Sequence, residues 1–227
     1  QDSTKFFELA NVSDNITNVI EELSDRVRIS TEVPSTISKL NIPDIPKGTI
    51  NPTTLGMVLG ALIPENAIVV DESVTTGREF FYQTAGSHPH TWLNNCGGSI
   101  GFGMPVAIGA AISCPDRKVI SLEGDGSAMY TVQSLWTMAR ENLDIVVLIF
   151  ANQSYKILQG ELTNVGVVSP GKSAMEMLSL QDPSLDWVSL SKGMGVDAVR
   201  VDNFEDLVKN FKIGLKMSGP YLIEVMI

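Results

Sequence analysis

The run GDGSAMYTVQSLWTMARENLDIVVLIFANQ, residues 124–153, holds a carboxylate, Asp125, in a glycine turn and a side-chain amide, Asn152, 27 positions later. Carboxylate and amide oxygens are hard donors that magnesium accepts, with phosphate oxygens and water completing an octahedron. Asp125 alone would repel a phosphate, so a phosphorylated ligand at this turn requires a cation between the two. The amides of Gly126 and Ser127 lie at an expected helix start, where N–H groups point outward without a partner and suit phosphate oxygens. A backbone carbonyl at about Ser154 is a third candidate donor. An Asp-Gly turn is commonplace by itself; a metal-bridged phosphate site is the more specific reading, because the spacing of 27, the strand-helix-strand order and the acid-plus-amide pair must all coincide.

Two residues this far apart meet only if the chain between them returns to the same edge. KVISLE reads as a buried strand ending at Glu123, a helix is expected from about Ala128 to Glu141, and DIVVLIF reads as the next parallel strand. A right-handed crossover sets such strands side by side, about 4.8 Å apart, and Asn152 then emerges at the edge that carries Asp125. The alternation extends in both directions. TTLGMVLGALI, TTGREFFYQTA, GFGMPVAIGAAI, PSLDWVSLSKGM and FEDLVKNFKIGLKM read as helices, and AIVVDE, DAVRVD and YLIEVMI as strands. Near-continuous Val, Ile and Leu strands fit a sheet buried on both faces. The expected fold is α/β: a doubly wound, mainly parallel sheet with helices on both faces.

Ahead of this domain, residues 1–30 hold one expected helix, DNITNVIEELSDRV, with Ile16, Val19, Ile20, Leu23 and Val27 at three- and four-residue steps. Residues 31–50 read as an extended, proline-bearing linker, and 51–227 as the main domain. The chain opens without Met and in mid-pattern, so a piece of a longer chain is expected.

Composition narrows the partners. With 26 acidic and 16 basic side chains the net charge is −10, which argues against a nucleic-acid groove. Cys96 and Cys114 stand alone, supporting neither a disulfide framework nor a zinc site. No apolar run reaches membrane-spanning length and the polar start lacks signal-peptide regions. A cytoplasmic protein without a membrane or nucleic-acid partner is expected. His88 and His90, in GSHPHTW, fit a loop better than a ligand pair. Ile157, Leu158, Leu162 and Val165 could line a substrate entrance, but the helical steps of the first three favour packing.

GDGS followed, about 25 residues later, by an Asn resembles the signature of thiamine-diphosphate enzymes such as acetolactate synthases, benzoylformate decarboxylases and pyruvate decarboxylases. That signature usually ends in two asparagines; here it ends FANQSY, with Ala151 at the first position and Asn152 at the second, the metal-ligand position. The resemblance spans roughly residues 50 to 227. NNCGGSIGFGMPVAIGAAISCPDRKVISLEGDGS is similar to the family's glycine-rich segment, which implies that the Gly98 carbonyl meets the aminopyrimidine. Ser99 lies beside it, and Ile100 is the aliphatic wedge that bends the cofactor. DESVTTG matches the loop that meets the diphosphate, implicating Ser73, Val74 and Thr75. Gly124, Asp125, Gly126, Ser127 and Tyr155 would surround the same group, with magnesium on Asp125, Asn152 and Ser154.

The resemblance implies a diphosphate-binding domain preceded by the tail of a middle domain. The pyrimidine-binding domain, of the same or a neighbouring subunit, is absent from this chain, and with it the activating glutamate, so no catalytic residue is assigned here. A homodimer or homotetramer is implied. The expected reaction is decarboxylation of a 2-oxo acid, such as pyruvate, with transfer of the acyl carbanion in the manner of acetolactate synthase. The stretch SYKILQGELTNVGVVSPGKSAM lacks the Trp usual in biosynthetic acetolactate synthases, which keeps a benzoylformate-decarboxylase-like reaction as the alternative. A non-catalytic module that retains the fold is a further one, although Asp125 and Asn152 are both present. The identity of the 2-oxo acid and the presence of flavin are left open. A nicotinamide Rossmann protein would need GxGxxG after the first strand, and VVDESVTTG does not supply it.

Overall fold

The computed structural model describes residues 5, 7–27, 37 and 39–227. The chain divides into two compact units, Gln1–Ser38 and Lys39–Ile227. In the first, helix α1 spans Ile16–Val27 and buries none of its residues; Ile16, Ile20, Leu23 and Val27 are all exposed. Residues 28–36 and 38, which hold much of the expected linker, lie outside the described residues.

The second unit begins at Lys39, ahead of the boundary expected near residue 50. Residues 39–50 are tied to it: the Asn41 amide donates to the Gly86 carbonyl at 2.7 Å, the Gly48 amide donates to the Glu205 carboxylate, and Ile50 joins the core. Helix α2, Pro52–Leu62, opens where Asn51 accepts the Thr53 amide and proline takes the first turn, a position where its missing N–H costs nothing.

The strands are β1 Ile68–Glu72, β2 Thr91–Asn94, β3 Val119–Gly124, β4 Ile145–Ala151, β5 Asp197–Val201 and β6 Tyr221–Met226. They form one six-stranded sheet in the order β2-β1-β3-β4-β6-β5, and every pairing is parallel. The sheet is doubly wound, as expected, and wholly parallel. Every residue of β4 is buried. Its side chains alternate between two cores, as a period of two requires: Val146, Leu148 and Phe150 enter one, Ile145, Val147 and Ile149 the other. The first core also takes residues of α2, of α3 (Phe80–Gln83) and of α10 (Phe204–Lys216); the second takes those of α4 (Gly103–Ser113), α6 (Ser134–Arg140) and α9 (Trp187–Gly193).

Two elements differ from expectation. TTGREFFYQTA forms only the single turn of α3, because the left-handed Val74 (φ 51°) turns the chain at its start. The helix expected from Ala128 starts earlier and is broken into α5 (Asp125–Ala128), a 3-10 turn at Met129–Thr131, and α6.

After β1 the chain moves outward to β2, then crosses back to lay β3 on the other flank of β1. Crevices at such reversals, beyond the carboxyl ends of the strands, are where open α/β sheets bind ligands. The residues leaving β1 and β3 at that edge are Glu72 and Ser73, and Gly124 and Asp125.

Candidate functional site

β3 and β4 pair in register from Val119 with Ile145 to Gly124 with Phe150. Asp125 therefore follows the end of one strand while Asn152 follows the end of its neighbour. The two meet through the intervening backbone: the Gln153 amide donates to Asp125 Oδ2 at 2.6 Å, and the Gly126 amide to Oδ1 at 2.9 Å. Asn152 Oδ1 accepts from the Ser154 amide at 2.9 Å and from its hydroxyl at 3.1 Å. Each Asp125 oxygen keeps a further lone pair, whereas both lone pairs of Asn152 Oδ1 are engaged by Ser154, and metal ligation there would displace the Ser154 hydroxyl.

One cavity gathers Ser73, Val74, Thr75, Ile100, Gly124, Asp125, Gly126, Ser127, Asn152, Ser154 and Tyr155, together with Lys156 and Ile157. A neighbouring cavity of about 280 Å³ shares Thr75, Asn152, Ser154 and Lys156. Gly98 lies apart, lining a third cavity of about 490 Å³ with Asp71, Glu72, Val74 and Asn95. Ser99 lines none of these; its amide and carbonyl bond to the Asn95 side chain.

Asp125 is 3% exposed. Burial pushes its pKa to about 6, against the lowering by the Gln153 and Gly126 amides, and Glu224 adds a smaller upward push. Among the described residues no basic side chain forms an ion pair with it. A buried carboxylate without a cation is costly, and one carboxylate, one amide oxygen and a nearby backbone carbonyl form a hard donor set that fits magnesium. No three His, Cys, Asp or Glu converge among the described residues, so a metal here would rest on neutral oxygens beside a single acid.

Two of the five left-handed non-glycine residues among the described residues lie here. Val74 (φ 51°) and Gln153 (φ 54°) are left-handed without being glycine, a conformation β-branched residues in particular avoid, and such residues cluster at ligand sites. At Gly126 a Cβ would come within 2.7 Å of the Tyr155 ring, so glycine lets the turn after β3 pack against that tyrosine.

Sequence reasoning passed over Gln153, Lys156 and Glu72. Lys156 follows Tyr155 directly, just past the end of the signature FANQSY. Glu72, an acid ending a buried strand, is the signal that DES offered. Its carboxylate is 3% exposed and bonds the glycine-rich loop. Deeper, Glu123 is fully enclosed; burial, reinforced by Glu72 and Asp71, holds its pKa well above the carboxylate range against the Ser121 hydrogen bond.

His88 and His90 precede β2 and so lie at the opposite, amino edge of the sheet, beside Phe81, Thr84 and Trp92. Of the packing expected of Ile157, Leu158, Leu162 and Val165, Ile157 instead lines the Asp125 cavity, and none is seen for Leu158, Leu162 and Val165. Helix α7, Lys156–Asn164, buries no residue, and these side chains line an open apolar cavity of about 340 Å³ with Ala174 and Met177. Their helical steps mark an apolar face, but no element of the described chain covers it.

A six-stranded parallel sheet with Asp125 and Asn152 at its carboxyl edge, next to the reversal in strand order, is that of an open, doubly wound α/β domain. The family described as "Thiamine pyrophosphate enzyme, C-terminal TPP binding domain" matches residues 77–225, and the chain belongs to it. It is 43% identical over 211 residues to a Mycobacterium tuberculosis protein provisionally named acetolactate synthase large subunit IlvX, covering 92% of this chain and 41% of that one. It is 32% identical over 213 residues to benzoylformate decarboxylase of Pseudomonas aeruginosa, covering 93% and 39%. A solved structure, the thiamine-diphosphate-dependent 4-hydroxybenzoylformate decarboxylase of Rhodococcus jostii RHA1, superposes with a TM-score of 0.76 at 32% identity, over 92% of this chain and 38% of that one. The chain thus spans about two fifths of the length of these three relatives. Among the described residues no helix is long and apolar enough to cross a membrane.

Proposed function

We propose that the crevice between β1 and β3 holds the diphosphate of thiamine diphosphate through a magnesium ion on Asp125, Asn152 and the Ser154 carbonyl. The observation that carries this reading is the buried Asp125, whose charge no side chain of the described unit balances. A divalent cation would balance it and bridge to phosphate oxygens. Ser73, Val74, Thr75, Gly124, Gly126, Ser127 and Tyr155 would surround the diphosphate; Gly98, Ser99 and Ile100 would lie under the middle of the cofactor. The bound cofactor supplies the carbanion-stabilising chemistry of 2-oxo acid decarboxylation. The residues of this chain anchor and orient it, while the activating glutamate belongs to a pyrimidine-binding domain of the same or a neighbouring subunit. A homodimeric or homotetrameric assembly would join the two halves.

The reaction we infer is acetolactate-synthase-like, in which a 2-oxo acid such as pyruvate loses carbon dioxide and its acyl unit passes to an acceptor. The likeness to two decarboxylases, each at 32% identity, supports a second reading: decarboxylation of a benzoylformate-like acid without transfer. Calorimetric titration with thiamine diphosphate, with and without magnesium, tests the cofactor reading. Magnesium-dependent binding lost in Asp125→Ala is expected; binding unaffected by either would overturn it. Turnover of pyruvate against phenylglyoxylate separates the two reactions.

A further inference from the structure

Ile100 is 46% exposed and sits in a turn, yet the backbone on both sides of it is tied down. Upstream, the Ser99 amide donates to Asn95 Oδ1 at 3.0 Å and Asn95 Nδ2 donates to the Ser99 carbonyl at 3.1 Å. Downstream, Glu72 accepts the Gly101 amide on Oε1 at 2.5 Å and the Gly103 amide on Oε2 at 2.6 Å. The Thr131 hydroxyl donates to the Gly101 carbonyl at 3.0 Å. Gly101 is left-handed (φ +83°), and a Cβ there would lie 2.7 Å from Tyr130 Cβ, so the loop approaches the 3-10 turn at Met129–Thr131 as closely as glycine permits. The backbone carbonyl of Glu72 accepts the Ser127 hydroxyl at 3.3 Å, which links this anchor to the turn that carries Asp125.

A buried carboxylate is expensive unless hydrogen bonds satisfy it. Among the described residues Glu72 has no ion-pair partner, and both its oxygens go to alternate amides of one loop. Strand β1 pairs through its backbone and does not need this side chain. We propose that Glu72 is a positioning residue: its two oxygens clamp the amides of Gly101 and Gly103 and thereby set the height and direction of Ile100 over the diphosphate crevice. This rests on Ile100 lying under the middle of the cofactor. Asn95 and Thr131 are auxiliary anchors, while Glu72 joins the loop to the sheet edge that also fixes the metal ligands.

The test is Glu72→Gln, which keeps the shape but turns an N–H₂ group toward an amide that needs an acceptor. Without any ligand, hydrogen exchange at Gly101 and Gly103 should quicken by about tenfold or more. In the assembled enzyme, turnover of pyruvate or phenylglyoxylate should fall by at least about tenfold, with the Kd of magnesium thiamine diphosphate moving less than about threefold. Added to Ile100→Gly, the substitution should cost nothing further, because both act through one side chain. Should Glu72→Gln fold poorly, Thr131→Val should show the same pattern more weakly. Unchanged exchange, or losses that add to those of Ile100→Gly, would overturn the proposal. If the unsubstituted protein binds no thiamine diphosphate, the functional reading fails instead, and the exchange measurement still reports whether Glu72 holds the loop.

Discussion

The backbone amide of Gln153 donates to Asp125 Oδ2 across 2.6 Å, so the residue after Asn152 ties the two ends of the motif together. The acid is thereby aimed by the neighbouring strand, while Asn152 is held separately by the amide and hydroxyl of Ser154. Positions 27 apart in sequence emerge at one edge of the sheet because β3 and β4 run side by side in register to their ends.

Replacing Asp125 by Ala should abolish magnesium-dependent binding of thiamine diphosphate while leaving the fold intact. The change removes a buried charge whose pKa is raised to about 6, a cost of about 3 kcal/mol when ionised. Two backbone hydrogen bonds, each contributing about 1 kcal/mol, are lost with it. The net effect on the melting temperature of the ligand-free chain at neutral pH should be small or stabilising. Calorimetry beside a thermal melt checks both halves; a large fall in stability would count against the charge argument.

The same raised pKa sets a pH dependence. The unfolded chain ionises Asp125 near its ordinary 3.8, the folded chain near 6, so the folded form holds more protons in between. Stability of the ligand-free chain should fall as pH rises through that window, then level off. Magnesium needs the carboxylate, so its affinity should move the other way, weakening by up to about tenfold per pH unit below about pH 6. Titrations at about pH 5 and about pH 7.5, with Asp125→Asn as control, read the difference.

Ile100→Gly should impair turnover more than cofactor affinity. The side chain is nearly half exposed and contributes little to the core, whereas a misplaced reacting group costs about 100-fold in rate. Turnover of pyruvate or phenylglyoxylate, set beside the Kd of magnesium thiamine diphosphate, measures the split; unchanged turnover would remove Ile100 from its proposed role.

A methyl group at Gly126 should weaken cofactor binding by displacing Tyr155, whose ring carbons would lie 2.7 and 2.8 Å from the new Cβ. Overpacking of this kind costs about 1–3 kcal/mol. The shift should appear in the magnesium-dependent titration of Gly126→Ala, whereas in a Tyr155→Ala background, where the clash is absent, Gly126→Ala should add no further loss.

Much of this protein was legible before any coordinates. Strands of unbroken Val, Ile and Leu, separated by helical periodicity, indicate a buried parallel sheet because only that environment makes such runs favourable. The crossover rule then brings Asp125 and Asn152 to one edge. Local elements were less legible: TTGREFFYQTA has helical character, but left-handed Val74 turns the chain before it and leaves a single turn. The early start of α5 at Asp125 leaves no mark in the sequence, because nothing in GDGS distinguishes a tight turn from the first turn of a helix.

The chain's own residue types and spacings determined the fold class and the sheet edge at which Asp125 and Asn152 emerge together, since these follow from period and chain direction, which are local properties. The tertiary structure alone decided which groups complete the site. That Glu72 would reach across to Gly101 and Gly103, that Gln153 would aim Asp125, and that Gly98 would line a separate cavity from Ile100 all depend on where loops from different strands meet. Side-chain hydrogen bonds between segments some 30 residues apart leave no periodic trace in the sequence, because they arise only once packing has brought the sheet's edge residues together.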